Sequence, residues 1–200
     1  MALLLLIHKL TMAHIDPIDK IVTILKKDGV ILYPTDTIWG LGSSIYSTQA
    51  TEQVYTIKKR ERDKPLLLLA DSIKMIKKYV LDIHPRVETL LVYHKQPLTI
   101  IYKANKRVPE YLLCGGSTIA IRIVQDEFCK SLINLLGHPI TSTSANIAGE
   151  ESPTYYSDIK KEVCDQCDYV VKYRQNDKSK TKASVLAKFD PKGNLKFLRV

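Results

Sequence analysis

Long apolar runs are missing from this chain of 200 residues. The densest stretches, Ala2–Ile7 and Leu66–Ala70, fall far short of the roughly 20 residues that cross a bilayer. Ala2–Ile7 also lacks a basic leader and runs into His8-Lys9, so it reads as an edge strand or a loose terminus. No membrane partner is expected. Met12 is a possible alternative start. Cysteine is scarce: Cys114, Cys129, Cys164 and Cys167. Cys129 falls on the apolar face of a predicted helix. Cys164-x-x-Cys167 has no second Cys or His pair at metal spacing, which excludes a complete zinc knuckle of the usual kind. A reduced, cytoplasmic chain is the simplest expectation. There is no Gly-Lys-Ser/Thr phosphate loop and no dinucleotide fingerprint. No Ser-His-Asp set, internal repeat, heptad run or linker stands out, which leaves one domain over residues 1–200.

What is abundant is positive charge. Thirty Lys and Arg stand against 21 Asp and Glu, for a formal net charge of +9. Acidic partners are favoured: nucleotide, nucleic acid or another anionic surface. The charge peaks in Lys58-Lys59-Arg60-Glu61-Arg62-Asp63-Lys64, where five of seven residues are cationic. Such density is held together more easily around an anion, with arginine matching phosphate oxygens as a fork and lysine as a point charge. A solvated helix end is the plain alternative, since cations suit a helix C-terminus.

In chain order, Asp16-Pro17 reads as an N-cap followed by a first-turn proline, and Gly29 ends the helix. Val30–Tyr33 is a buried strand stopped by Pro34. Thr35-Asp36-Thr37-Ile38-Trp39-Gly40-Leu41-Gly42 then offers hydroxyls, one carboxylate and two glycines that permit close backbone approach. Ser47 or Thr48 caps a helix with Ala50, Val54 and Ile57 on its buried stripe. Helices are also expected after Ser72, Pro85 and Asp126, and over Asp158–Val163. Strands are expected at Leu66–Ala70, Pro97–Tyr102 and Thr118–Val124. On the last, Ile119, Ile121 and Ile123 face one way and Arg122 the other among apolar neighbours, where an arginine needs an anionic partner. Thr141-Ser142-Thr143-Ser144-Ala145-Asn146 is a strand end turning into a loop rich in hydroxyls. It suits a small polar ligand or a ribose edge, or else a simple Ser/Thr turn. Residues 172–182 are polar and cationic and are expected to form a mobile loop. Ser184–Phe189 and Leu195–Val200 form a hairpin across Asp190-Pro191-Lys192-Gly193-Asn194. The pattern is an α/β or α+β fold with a mixed sheet and flanking helices.

Four segments in register, Tyr33-Pro34-Thr35-Asp36-Thr37 with Gly40-Leu41-Gly42, Lys58-x-Arg60 with Lys64-Pro65-Leu66, Thr118-x-Ala120-x-Arg122, and Ser142–Asn146, resemble the YrdC-type threonylcarbamoyl-AMP synthases. The resemblance implies a twisted mixed sheet around a basic concave surface. It also implies a reaction of L-threonine, bicarbonate and ATP, with Mg2+ assisting, for modification of an adenosine in tRNA. On it, Lys58 and Arg60 are the catalytic cations. Lys58, Arg60, Lys64, Thr118, Asn146, Thr154 and Arg199 fall on the ATP side. Thr37, Arg122, Ser144 and Ser184 fall on the threonine side. Two positions depart: Leu69 stands where many members have His, and Lys64 where many have Asn. The implied partners are tRNA or the complex that transfers the threonylcarbamoyl group. Two alternatives remain at this point: an RNA-binding module without catalysis, and a carbamoyl-adenylate homologue with another acceptor.

Overall fold

The computed structural model describes residues 16–189 and 194–199. The expected N-terminal edge strand and the hairpin turn at 190–193 lie outside these residues. Nine described strands form one mixed sheet in the order β7-β1-β2-β6-β3-β5-β4-β8-β9. They are β1 (Ile31–Tyr33), β2 (Gly40–Gly42), β3 (Leu67–Ala70), β4 (Leu98–Lys103), β5 (Thr118–Ile123), β6 (Ile140–Ser144), β7 (Tyr169–Val170), β8 (Val185–Phe189) and β9 (Leu195–Arg199). β3 runs parallel to β5 and β4 to β8, whereas β6 is antiparallel to both β2 and β3.

The helices are α1 (Ile18–Lys26), α2 (Thr48–Lys58), α3 (Ile73–Ile76), α4 (Pro85–Tyr93), α5 (Glu127–Leu136) and α6 (Lys161–Cys164). Caps appear where side-chain oxygens can reach the first free N–H groups: Ser47 accepts from Ala50 N, Ser72 from Met75 N and Asp126 from Cys129 N. Strand alternation sends apolar side chains to both faces. Ile31 and Tyr33 join a core that also holds Val22 and Leu25 of α1 and Phe128 and Leu132 of α5. Leu32 joins a second core with Val54 and Ile57 of α2 and Val163 of α6. Cys129 is fully buried in the first core.

Two expectations are corrected. Asp16 does not cap α1; its carboxylate, 1% exposed, accepts from the backbone N–H of Lys172 and Tyr173 and from the Tyr169 hydroxyl. The returning chain offers three donors, so the carboxylate ties the end of β7 to the start of α1. Residues 158–163 are not one helix. A 3-10 turn over Tyr156–Asp158 and α6 are separated by extended backbone at Ile159 and Lys160, and Asp158 turns back to accept from Tyr155 N. The glycine at 42 serves strand packing: a Cβ there would lie 2.3 Å from the Thr141 carbonyl oxygen and 2.9 Å from the Tyr33 ring.

Candidate active site

On β3, β4 and β5, Leu68, Ile100 and Ile121 enter the first core, and their neighbours Leu67, Thr99, Ala120 and Arg122 point to the opposite face. There they line a cavity of about 310 Å³. Thr37 to Gly40 close one side, Ser142 to Ser144 the floor, and Arg60 with Pro65, Leu66 and Leu67 another side. Ser184 and Arg199, from the starts and ends of β8 and β9, complete it. Three arginines and several hydroxyls therefore share one hollow whose wall, among the described residues, carries no carboxylate side chain.

Arg122 is the most buried of these cations, with its side chain 3% exposed. The expected anionic partner is Asp36, whose Oδ1 accepts from Nη1 at 2.6 Å; its Oδ2 accepts from Gln125 N. Arg122 Nε is buried and has no hydrogen-bond partner among the described residues. Arg60 is half-buried. Its guanidinium donates to the Lys64 and Pro65 carbonyls, at 3.1 and 3.2 Å, which sets the fork at the cavity wall. Arg199 donates to the Ser184 carbonyl through both Nε and Nη2. The Ser184 hydroxyl pairs with that of Thr99 at 2.7 Å. Thr35 Oγ1 accepts from Thr37 N and donates to the Ile38 carbonyl, a local turn that presents Thr37 inward.

Six of the expected site residues thus meet: Thr37, Arg60, Arg122, Ser144, Ser184 and Arg199. Five lie elsewhere. Lys58 is 2% exposed and sits behind the wall. Its ammonium donates to the carbonyls of Ser144 and of Asn146, the latter at 2.7 Å, and its own carbonyl accepts from Ala148 N. Lys58 therefore braces the loop that carries Ser144. Burial, and next the charge of Arg60, pull its pKa down to about 8. Asn146 uses its amide to hold the same loop, donating to Ile147 and Glu150 carbonyls. Lys64 is exposed and paired with Glu61 at 2.6 Å. Thr154 lines a small adjoining hollow that shares Thr37 and Trp39 with the main cavity. Thr118, two residues before Ala120, borders a different cavity.

Residues missed beforehand are Asp36, Trp39, Thr99 and Ser152. Asp36 was visible as the one carboxylate of its segment, but its partner is 86 residues away. Leu69 is fully buried in the first core and offers no polar group to the cavity. The cationic loop is pinned over its first half. Arg174 donates to the Thr35 carbonyl at 2.8 Å and pairs with Asp126 and Asp177. No cluster of three or more His, Cys, Asp or Glu positioned for a metal occurs among the described residues. None of the described helices is long and apolar enough to cross a membrane.

Known proteins share this chain's sequence and fold. A threonylcarbamoyl-AMP synthase of Hydrogenovibrio crunogenus is 35% identical over 136 residues, covering 66% of this chain and 73% of that one. E. coli YciO superposes with a TM-score of 0.78 at 26% identity, over 91% of this chain and 87% of that one. Pyrococcus abyssi Sua5 complexed with L-threonine shares the fold, with a TM-score of 0.76 at 24% identity over 86% of this chain. This chain spans about half the length of that protein, 50%. The Sua5/YciO/YrdC family model, described as "Telomere recombination", matches residues 23–200. The chain belongs to the Sua5/YciO/YrdC family.

Proposed function

We propose that this protein makes L-threonylcarbamoyladenylate and pyrophosphate from L-threonine, bicarbonate and ATP, and that the product serves tRNA modification. The observation that carries the reading is the meeting of Arg60, Arg122 and Ser144 in one carboxylate-free cavity. The threonine amine takes up CO2 derived from bicarbonate and becomes a carbamate. A carbamate oxygen attacks the α-phosphorus, the bond to the β-phosphate oxygen breaks, and pyrophosphate leaves. The substrates supply both nucleophile and leaving group, so the protein's contribution is positioning and charge stabilisation. Arg60 and Arg199 face the phosphates. Arg122, held by Asp36, lends its positive charge to the substrate carboxylate, and Thr37 and Ser144 orient the amino acid. Lys58 acts through the loop it braces. Among the described residues the wall supplies no carboxylate to a cation, so Mg2+ would be held by ATP phosphates and water.

The relative named threonylcarbamoyl-AMP synthase and the Sua5 complex with L-threonine support this reading. Its test is pyrophosphate release with threonine and bicarbonate each omitted in turn. The expected result is release only when both are present. Release that persists without threonine would remove the assignment, and serine used as well as threonine would point to another acceptor.

A further inference from the structure

Arg174 is the only arginine of the loop 172–182, and its guanidinium reaches three elements. Nε donates to Asp177 within the loop at 2.8 Å. Nη1 donates to Asp126 at the start of α5 at 3.3 Å, and to the Thr35 carbonyl, just after β1, at 2.8 Å. The Arg174 backbone has φ +64°, in the left-handed region that costs a non-glycine residue free energy. That strain falls on the residue whose side chain leaves the loop to hold two other elements. Arg174 borders the small hollow beside the main cavity and not the main cavity itself.

The carbonyl it holds belongs to the peptide between Thr35 and Asp36. A peptide unit is planar, so fixing its oxygen fixes the direction in which the chain leaves toward Asp36 and Thr37. Asp36 grips Arg122 at 2.6 Å, and Thr37 lines the main cavity. Thr35 completes the link. Its one hydroxyl proton goes to the Ile38 carbonyl, so the Thr37 hydroxyl, 2.9 Å away, is the donor to Thr35 Oγ1. Thr37 can therefore meet a ligand only as an acceptor, which suits an amino group, whereas Arg122 suits a carboxylate. Asp126, with its side chain 7% exposed, adds a second reason. Burial raises its pKa, and the charge of Arg174 lowers it while that of Asp36 raises it. Without Arg174, the charge of Asp126 would stand uncompensated against Asp36.

We propose that Arg174 is a positioning residue for the amino-acid half of the site. It holds the Thr35–Asp36 peptide so that Thr37 and the Asp36–Arg122 pair meet the amino and carboxylate ends of one substrate. The role rests on the proposed reaction with L-threonine.

Steady-state pyrophosphate release, with threonine and ATP varied in turn, is the test. In Arg174→Gln, KM for threonine should rise about tenfold while KM for ATP changes less than about twofold. Arg174→Lys keeps a charge beside Asp126, but a single ammonium cannot serve three acceptors in three directions. Its KM for threonine should rise about threefold, which gives the reading on its own if the glutamine variant folds poorly. A purely structural role would lower the active fraction, hence kcat, and leave both KM values in place. That result overturns the role of Arg174. So does an equal rise for both substrates, or a threonine KM within about twofold of wild type in every Arg174 variant that folds. In each of these cases wild-type release still depends on threonine, so the proposed reaction stands. Wild-type release that ignores threonine removes the proposed reaction, and this role with it.

Discussion

Lys58 and Arg60 are two residues apart and have different tasks. Arg60 sits on the cavity wall, where its fork can follow charge that develops on the transferring phosphate. Removing such a contact costs about 3 kcal/mol of barrier, roughly a hundredfold in rate. Arg60→Ala should therefore lower pyrophosphate release by about that factor while the melting temperature stays within a few degrees, because the side chain is only half-buried. Lys58 is buried against carbonyls, and its pKa of about 8 lies below the 10.5 of a free lysine. The folded state thus binds fewer protons than the unfolded chain between those values. Stability associated with this group must then rise with pH across that window, and the penalty is fully present below pH 8. Denaturant unfolding of wild type and Lys58→Met at pH 7.5 and 10 isolates the effect. The stability of wild type relative to the variant should be greater at the higher pH; a difference that shrinks or stays flat contradicts the assignment. Lys58 was expected among the catalytic cations facing ATP and is instead buried behind the wall, and a signal for that burial was present in the sequence. It lies four residues after Val54, on the same helical face as the buried stripe.

At the scale of elements, local chemistry was legible and long-range pairing was not. Ser47, Ser72 and Asp126 cap helices because cap and N–H lie within one turn. The alternation around Arg122 was equally clear, since a strand's period is set by its own pleat. Asp16 looked like another cap, and nothing local shows that donors more than 150 residues away claim its carboxylate. Likewise Arg122 demanded an anion without naming Asp36. The glycine pair of β2 was read as permitting close backbone approach, without saying of what. Gly40 does lie on the cavity wall, but Gly42 lets β2 approach Thr141 of β6 and the Tyr33 ring. Gly42→Ala forces a methyl into a backbone oxygen, an overpacking change worth about 3 kcal/mol. Urea unfolding should show the midpoint falling accordingly. A variant as stable as wild type would mean that β2 and β6 can separate at no cost, contrary to their close register at Leu41 and Thr143.

At the scale of the whole molecule, the +9 charge acts on the approach of substrates before any contact forms. ATP is a polyanion and L-threonine a zwitterion with no net charge, so the same field treats them differently. A cationic cleft whose wall carries no carboxylate among the described residues focuses that field at Arg60, Arg122 and Arg199. Screening shortens its reach from about 14 Å at 0.05 M salt to about 4 Å at 0.5 M, scaling with the inverse root of ionic strength. Across that range kcat/KM for ATP should fall about tenfold, while kcat/KM for threonine at saturating ATP should change less than twofold. Steady-state pyrophosphate release in potassium acetate measures both. Equal sensitivity of the two substrates would show that salt acts on the fold or on the chemical step, and the excess charge would then have to serve another anion, with RNA the first to test.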